Sequence, residues 1–272
     1  MAYQTRITRA EPACLVILVD QSASMIEPWG TGKGNKAQGV SQAVNMTLRT
    51  LALMCKRGAE FYPYFDVAVI GYGNNAVNSA FGGALAGQSL VSIAEIAPKP
   101  VRVEERTQGE STIKMPIWVE PVANGNTPMV EALEHGKQLL EGWIARHRTS
   151  FPPIVLNITD GEASTGDPVQ AARDVAALRT DAGNVLVMNC HISSQAAQPV
   201  LYPGNIETLP DQFAQQLYAM SSPFPNEILE AARQKNIDGV PKNGARAFAF
   251  NVGLEGMMRF VSVVVGTMQA QR

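Results

Sequence analysis

Asp20, Ser22 and Ser24 stand at alternating positions in Asp20-Gln21-Ser22-Ala23-Ser24, directly after the apolar run Cys14-Leu15-Val16-Ile17-Leu18-Val19. A carboxylate and two hydroxyls on one tight loop are hard oxygen donors. A hard cation such as Mg²⁺ takes about six such donors in near-octahedral geometry and usually keeps several waters. Two later stretches can supply the remainder. Thr127, in Gly125-Asn126-Thr127-Pro128, precedes a proline at a helix start, a position suited to capping and to projecting a hydroxyl. Asp160 follows the β-branched run over 153–159 and precedes Gly161, which lets the backbone turn. Together Asp20, Ser22, Ser24, Thr127 and Asp160 are the expected ligands of one Mg²⁺, with Mn²⁺ or Ca²⁺ as alternatives. Each motif has a plainer reading on its own, because Asp and Ser after a strand commonly bond their own backbone. Their order along the chain, each at an element boundary, favours the joint reading.

The elements that must position these residues alternate. An apolar strand over 14–19 leads through Gly30-Thr31-Gly32-Lys33-Gly34-Asn35-Lys36 into a helical pattern carried by Val40, Ala43, Val44, Leu48, Leu51 and Cys55. That lead resembles a phosphate loop, but Ser or Thr must follow the lysine, and here Gly34 follows Lys33 and Ala37 follows Lys36. It reads as a flexible loop with a basic helix entry. Further strands are expected over 66–73, 154–159, 185–190 and 247–251, and helices over 128–146, 168–180 and from Leu254 to Met268. The fold expected is α/β: a doubly wound, mostly parallel central sheet with helices on both faces and one antiparallel edge strand. A single domain over 1–272 is expected, with an elaborated edge and loop region over about 74–124 and an inserted helical region over about 202–243. Within the first of these, 114–121 reads as irregular surface structure around Trp118, for which core packing is the commoner fate. The carboxyl ends of strands in open α/β sheets are where ligands bind, and Asp20 and Asp160 both fall there.

The spaced pattern D-x-S-x-S, then G-x-T-x-x-x-x-A-L, then T-D-G resembles the metal-ion-dependent adhesion site of von Willebrand factor A domains, over about 12–190 and again over 247–268. Ala23 stands where a glycine is common in that family. The resemblance implies a Rossmann-like fold and a metal-dependent protein-interaction module. Its partner would present an Asp or Glu to the metal, and the C-terminal helix would be a candidate reporter of occupancy. Stand-alone bacterial members of stress, tellurite-resistance-like or defence systems are the nearest analogy, and a kinase or phosphatase of the same system is the partner that analogy suggests.

Composition narrows the partners. The chain has 272 residues, 46% hydrophobic, with a net charge of -2 and a pI near 6.0, so it offers no broad basic field for nucleic acid or anionic lipid. Cys14, Cys55 and Cys190 lie apart in apolar segments and read as reduced core residues. With no secretory signal pattern in the first residues and no apolar stretch of membrane-spanning length, a cytoplasmic, membrane-free protein is expected. His135, His147 and His191 are too scattered for a zinc or general-base cluster, with His191 at a strand end a weak candidate near the site. No triad is argued for Ser22 or Ser24, and the chain is expected not to be an enzyme. The alternative is a Mg²⁺-dependent phosphotransferase or phosphatase using Asp20. Against it, Ser22 stands where haloacid-dehalogenase-like enzymes carry a second Asp. Glu162 is read as tuning the site or capping the next helix.

Overall fold

The computed structural model describes residues 3, 5–29, 34–108, 111–161, 163–192, 198–234, 236, 240 and 242–270. Among them an eight-stranded sheet is formed by β1 (Ala13–Asp20), β2 (Phe65–Gly73), β3 (Ala76–Ser79), β4 (Val91–Ser92), β5 (Ile154–Thr159), β6 (Leu186–His191), β7 (Val200–Leu201) and β8 (Phe248–Phe250). The spatial order is β7-β8-β6-β5-β1-β2-β3, with β4 also on β2. β1 lies in the middle and is buried along its length. Its residues alternate between two apolar clusters: Leu15, Ile17 and Val19 join one, and Cys14, Val16 and Leu18 the other. A strand buried on both sides has no polar face to show, which is why this run reads as continuously apolar.

Among the described residues six helices of nine residues or more, α1 (Lys36–Cys55), α2 (Met129–Arg146), α3 (Pro168–Ala177), α4 (Gln212–Met220), α5 (Asn226–Gln234) and α6 (Leu254–Ala270), fill the connections, beside a single turn at Ile93–Ile96. α1, α5 and α6 contribute to the first cluster, and α2, α3 and α4 to the second. α6 buries Met257, Phe260, Val261, Val265 and Met268 and leaves Glu255 and Arg259 outside as an ion pair of 3.3 Å. Among the described residues no helix is long and apolar enough to cross a membrane.

The expectation of a doubly wound, mostly parallel sheet with one antiparallel edge strand is corrected. The sheet is mixed. β2, β1, β5, β6 and β8 pair in parallel, whereas β3 and β4 run antiparallel to β2, and β7 antiparallel to β8. The cause at one edge is local. Asn74 and Asn75, between paired Gly73 and Ala76, both have left-handed backbones, with φ of 49° and 55°. Two such residues make the tight turn whose twist matches a hairpin, and asparagine tolerates it.

Of the stretch expected to be irregular, 114–117 is strand: Arg102–Gln108 and Ser111–Ile117 form an antiparallel hairpin outside the main sheet, and 118–121 follows it. Asn45, midway along α1, fastens its end. Its amide donates to the Ser41 and Val119 carbonyls at 2.8 Å each, and its oxygen accepts from Trp118 N at 2.8 Å and Val119 N at 3.1 Å. Trp118 is buried, and its indole N–H donates to the Ile96 carbonyl at 2.7 Å.

Candidate functional site

β1 and β5 are neighbours in register, Val19 opposite Ile158, so Asp20 and the Thr159-Asp160 pair leave the sheet side by side. Asp20 is held from two directions: Ser22 N donates to Oδ1 at 2.8 Å, and Thr159 Oγ1 donates to Oδ2 at 2.6 Å. The Ser22 and Ser24 hydroxyls share a hydrogen bond of 3.1 Å, and Ser24 Oγ donates to Asp160 Oδ1 at 2.8 Å. Asp20, Ser22, Ser24 and Asp160 therefore form one connected cluster at the carboxyl edge.

Thr127 reaches the same edge by another route. Ala23 N donates to the Gly125 carbonyl at 2.8 Å, Asn124 N to the Gln21 carbonyl at 2.6 Å, and Asn74 N to the Asn124 carbonyl at 3.0 Å. Three loops are thus stitched together through their backbones. Gly125 sits at the seam with φ 69°, where a Cβ would come 2.4 Å from Asn74 Cα, so no other residue fits. Thr127 N donates to Ser164 Oγ at 2.7 Å, and Ser164 N donates to the Thr127 carbonyl at 3.0 Å. The Thr127 hydroxyl makes no hydrogen bond among the described residues, so Thr127 borders the cluster without joining its network.

Lys36 is the residue the motifs did not reveal. It opens α1 and is only 3% exposed. Its ammonium donates to Asp160 Oδ2 and to Glu27 Oε2, each at 2.7 Å. A cation at the first turn of a helix faces the positive end of the dipole, and a buried ammonium must be paired. Lys36 is thus the basic helix entry and also the counter-charge of Asp160. Gly30 to Lys33 and Glu162 lie outside the described residues.

Burial pushes the Asp20 carboxyl up to about 6, with the Asp160 charge adding to it and hydrogen bonds from Ser22 and Thr159 opposing. Lys36 is pulled down by burial, yet its bonds and proximity to Asp160 and Glu27 outweigh this and hold it above the usual lysine range. His191, at the end of β6, is pushed down to about 4 by burial. It stacks on Phe250 with ring centroids 4.7 Å apart, and its Nδ1 finds no hydrogen-bond partner among the described residues. Beneath the site a buried amide chain spans the sheet: Tyr72 Oη donates to Asn157 Oδ1 at 2.7 Å, and Asn157 Nδ2 to Asn189 Oδ1 at 3.0 Å.

The donor set bears on what could bind. Two carboxylates and neighbouring hydroxyls suit a hard dication. Among the described residues no group of three or more His, Cys, Asp or Glu side chains is placed to hold a metal, so a cation here would rest on two carboxylates, hydroxyls and water. The phosphotransferase alternative is corrected: Asp20 is 1% exposed with both oxygens engaged, the posture of an anchor and not of a nucleophile.

No family model and no curated protein matches the chain. Among solved structures it is similar to SpaC, a pilus adhesin from Lactobacillus rhamnosus GG, at 10% identity and a TM-score of 0.50, over 98% of this chain and 31% of the adhesin. It is also similar to PilB, a minor pilin from Streptococcus sanguinis, at 12% identity and a TM-score of 0.44, over 96% of this chain and 62% of the pilin. The chain spans less than a third of the adhesin's length, and at this identity the likeness concerns the fold alone. The von Willebrand factor A assignment, with its metal-ion-dependent adhesion site, is withdrawn: no family model supports it, and the similar structure that spans 98% of the chain is described as a pilus adhesin. The role as a metal-dependent interaction module of a cytosolic stress or defence system falls with it. The cytoplasmic expectation is withdrawn as well, the similar structure over 98% of the chain being described as a pilus adhesin.

Proposed function

We propose that the chain is a non-enzymatic adhesive protein acting at a surface, and that its recognition face is the carboxyl edge around Asp20, Ser22, Ser24 and Asp160. The observation that carries this is the stitched edge itself, where three loops fix a cluster of charged and hydroxyl oxygens at the rim of a rigid sheet. Such an arrangement suits recognition, because a binding site gains affinity from groups already held in place. Exposed Ile26, at 64%, adds an apolar contact beside Ser24. The likeness in fold to a pilus adhesin over 98% of the chain supports the adhesive reading.

As cofactor we propose a divalent cation, Mg²⁺ or else Mn²⁺ or Ca²⁺, held by Asp20, Ser22, Ser24 and Asp160 with Thr127 at its border. When bound it would supply positive charge and rigidity. As partner we propose a protein that presents an Asp or Glu to the bound dication, whose charge would attract that carboxylate. The test is adhesion of beads coated with the purified chain to a panel of immobilised extracellular matrix proteins. Wild-type beads are expected to adhere to at least one of them, and beads carrying Asp160→Ala to lose most of that adhesion while the variant still unfolds cooperatively. Absence of adhesion across the panel, or equal adhesion by the variant, would overturn the reading.

A further inference from the structure

We infer that Lys36 is a tethered cation that occupies the carboxylate cluster and gives up Asp160 when a divalent ion enters, its ammonium then resting on Glu27. This rests on the reading that the cluster takes a divalent cation, and it adds a regulatory device to it.

The geometry has three parts. First, the ammonium already holds the charge-balancing place: Nζ is 2.7 Å from Asp160 Oδ2, whose other oxygen accepts from Ser24. A dication drawn to Asp160 meets that ammonium, and two like charges a few ångströms apart repel strongly in a partly buried site. Second, Lys36 has somewhere to go. Glu27, with a side chain 51% exposed, lies 2.7 Å from the same Nζ, so the ammonium can move outward along a flexible four-carbon stem without losing its counter-ion. Third, the backbone need not follow. Lys36 N donates to the Glu27 carbonyl at 3.0 Å, and the Asn35–Gln38 capping box fixes the first turn of α1 independently of the side chain. The exchange is therefore a rotation of one side chain between a buried and an exposed carboxylate. It costs the dication affinity, which sets a threshold concentration below which the ammonium holds the edge closed.

The test is calorimetric titration of Mg²⁺ into the full chain and two variants. Lys36→Gln removes the competing charge and is expected to bind Mg²⁺ at least about tenfold more tightly than wild type. Lys36→Arg keeps the charge and is expected to stay near the wild-type affinity. Equal affinity in wild type and Lys36→Gln would overturn the inference and leave the cofactor reading intact; no Mg²⁺ binding by any of the three would overturn both. A second measurement needs no variant: acetylation of lysines in wild type, read by mass spectrometry, is expected to spare Lys36 in EDTA and to modify it in saturating Mg²⁺. Protection unchanged by Mg²⁺ would contradict the exchange.

Discussion

Asn45 and Asp160 are both polar groups withdrawn from water, and the two networks they anchor differ in kind. Asn45 is neutral, 0% exposed, and has both amide donations and both oxygen acceptances filled by α1 and the base of the hairpin. Nothing is left over for a ligand. The carboxyl-edge cluster carries charge, raises Asp20 by burial with the Asp160 charge adding to it, and balances Asp160 with a lysine shared with an exposed partner. A polar group buried with every bond satisfied fastens a fold. Charges held at a rim with their balance shared outward are the ones that can respond to a visitor.

The comparison is broken most sharply at Asn45. Asn45→Leu strands two backbone N–H groups, those of Trp118 and Val119, while the Val119 carbonyl keeps the Ser41 hydroxyl; each stranded buried group costs about 1–3 kcal/mol, so a loss of about 2 kcal/mol or more is expected in urea unfolding. A loss under about 1 kcal/mol would mean the hairpin does not depend on this residue.

Asp20→Asn is expected to act in the opposite direction. Because the carboxyl is raised from 3.8 to about 6, the folded chain keeps a proton that the unfolded chain releases, and stability falls as pH climbs through that window. Removing the charge should therefore stabilise the chain in EDTA at neutral pH, by up to about 3 kcal/mol, and have no effect below pH about 4. His191 runs the other way: lowered from 6.5 to about 4, it costs stability as pH falls through that range. The two slopes oppose, so the Asp20 contribution must be read as the difference between variant and wild-type curves. A variant no more stable at pH 7 than at pH 4, relative to wild type, would contradict the assigned burial.

Smaller effects sharpen the boundary. Tyr72→Phe removes the donor to Asn157 Oδ1 and should cost about 1–2 kcal/mol in urea unfolding. Arg9→Ala, which removes a guanidinium 3.5 Å above the Tyr62 ring, should cost no more than about 1 kcal/mol.

Much of this was legible in the sequence. The apolar runs ending at Asp20 and Asp160 became adjacent central strands, and Asp20, Ser22, Ser24 and Asp160 came together because parallel neighbours end at the same edge. What was not legible depended on partners far along the chain. Lys36 reads as a surface charge until Asp160, 124 residues on, is placed beside it. Asn45 reads as one polar residue in an amphipathic helix. The antiparallel edge has a local signal in the sequence, the Asn74-Asn75 pair between strand-forming residues. The family resemblance rested on spacing alone, and spacing identifies donors that can converge without identifying the lineage or the role of the chain that carries them.

The central claim is that the carboxyl edge answers to a cation and the Asn45 network does not. Thermal unfolding with millimolar Mg²⁺ and with EDTA, on wild type, Asn45→Leu and Asp160→Ala, tests it directly. A ligand that binds only the folded state raises stability by about 2.7 kcal/mol at a hundredfold excess over its Kd, so Mg²⁺ should raise the melting temperature of wild type and of the weakened Asn45→Leu alike, and leave Asp160→Ala unmoved. A wild type indifferent to Mg²⁺, or an Asp160→Ala variant stabilised as much as wild type, would contradict it.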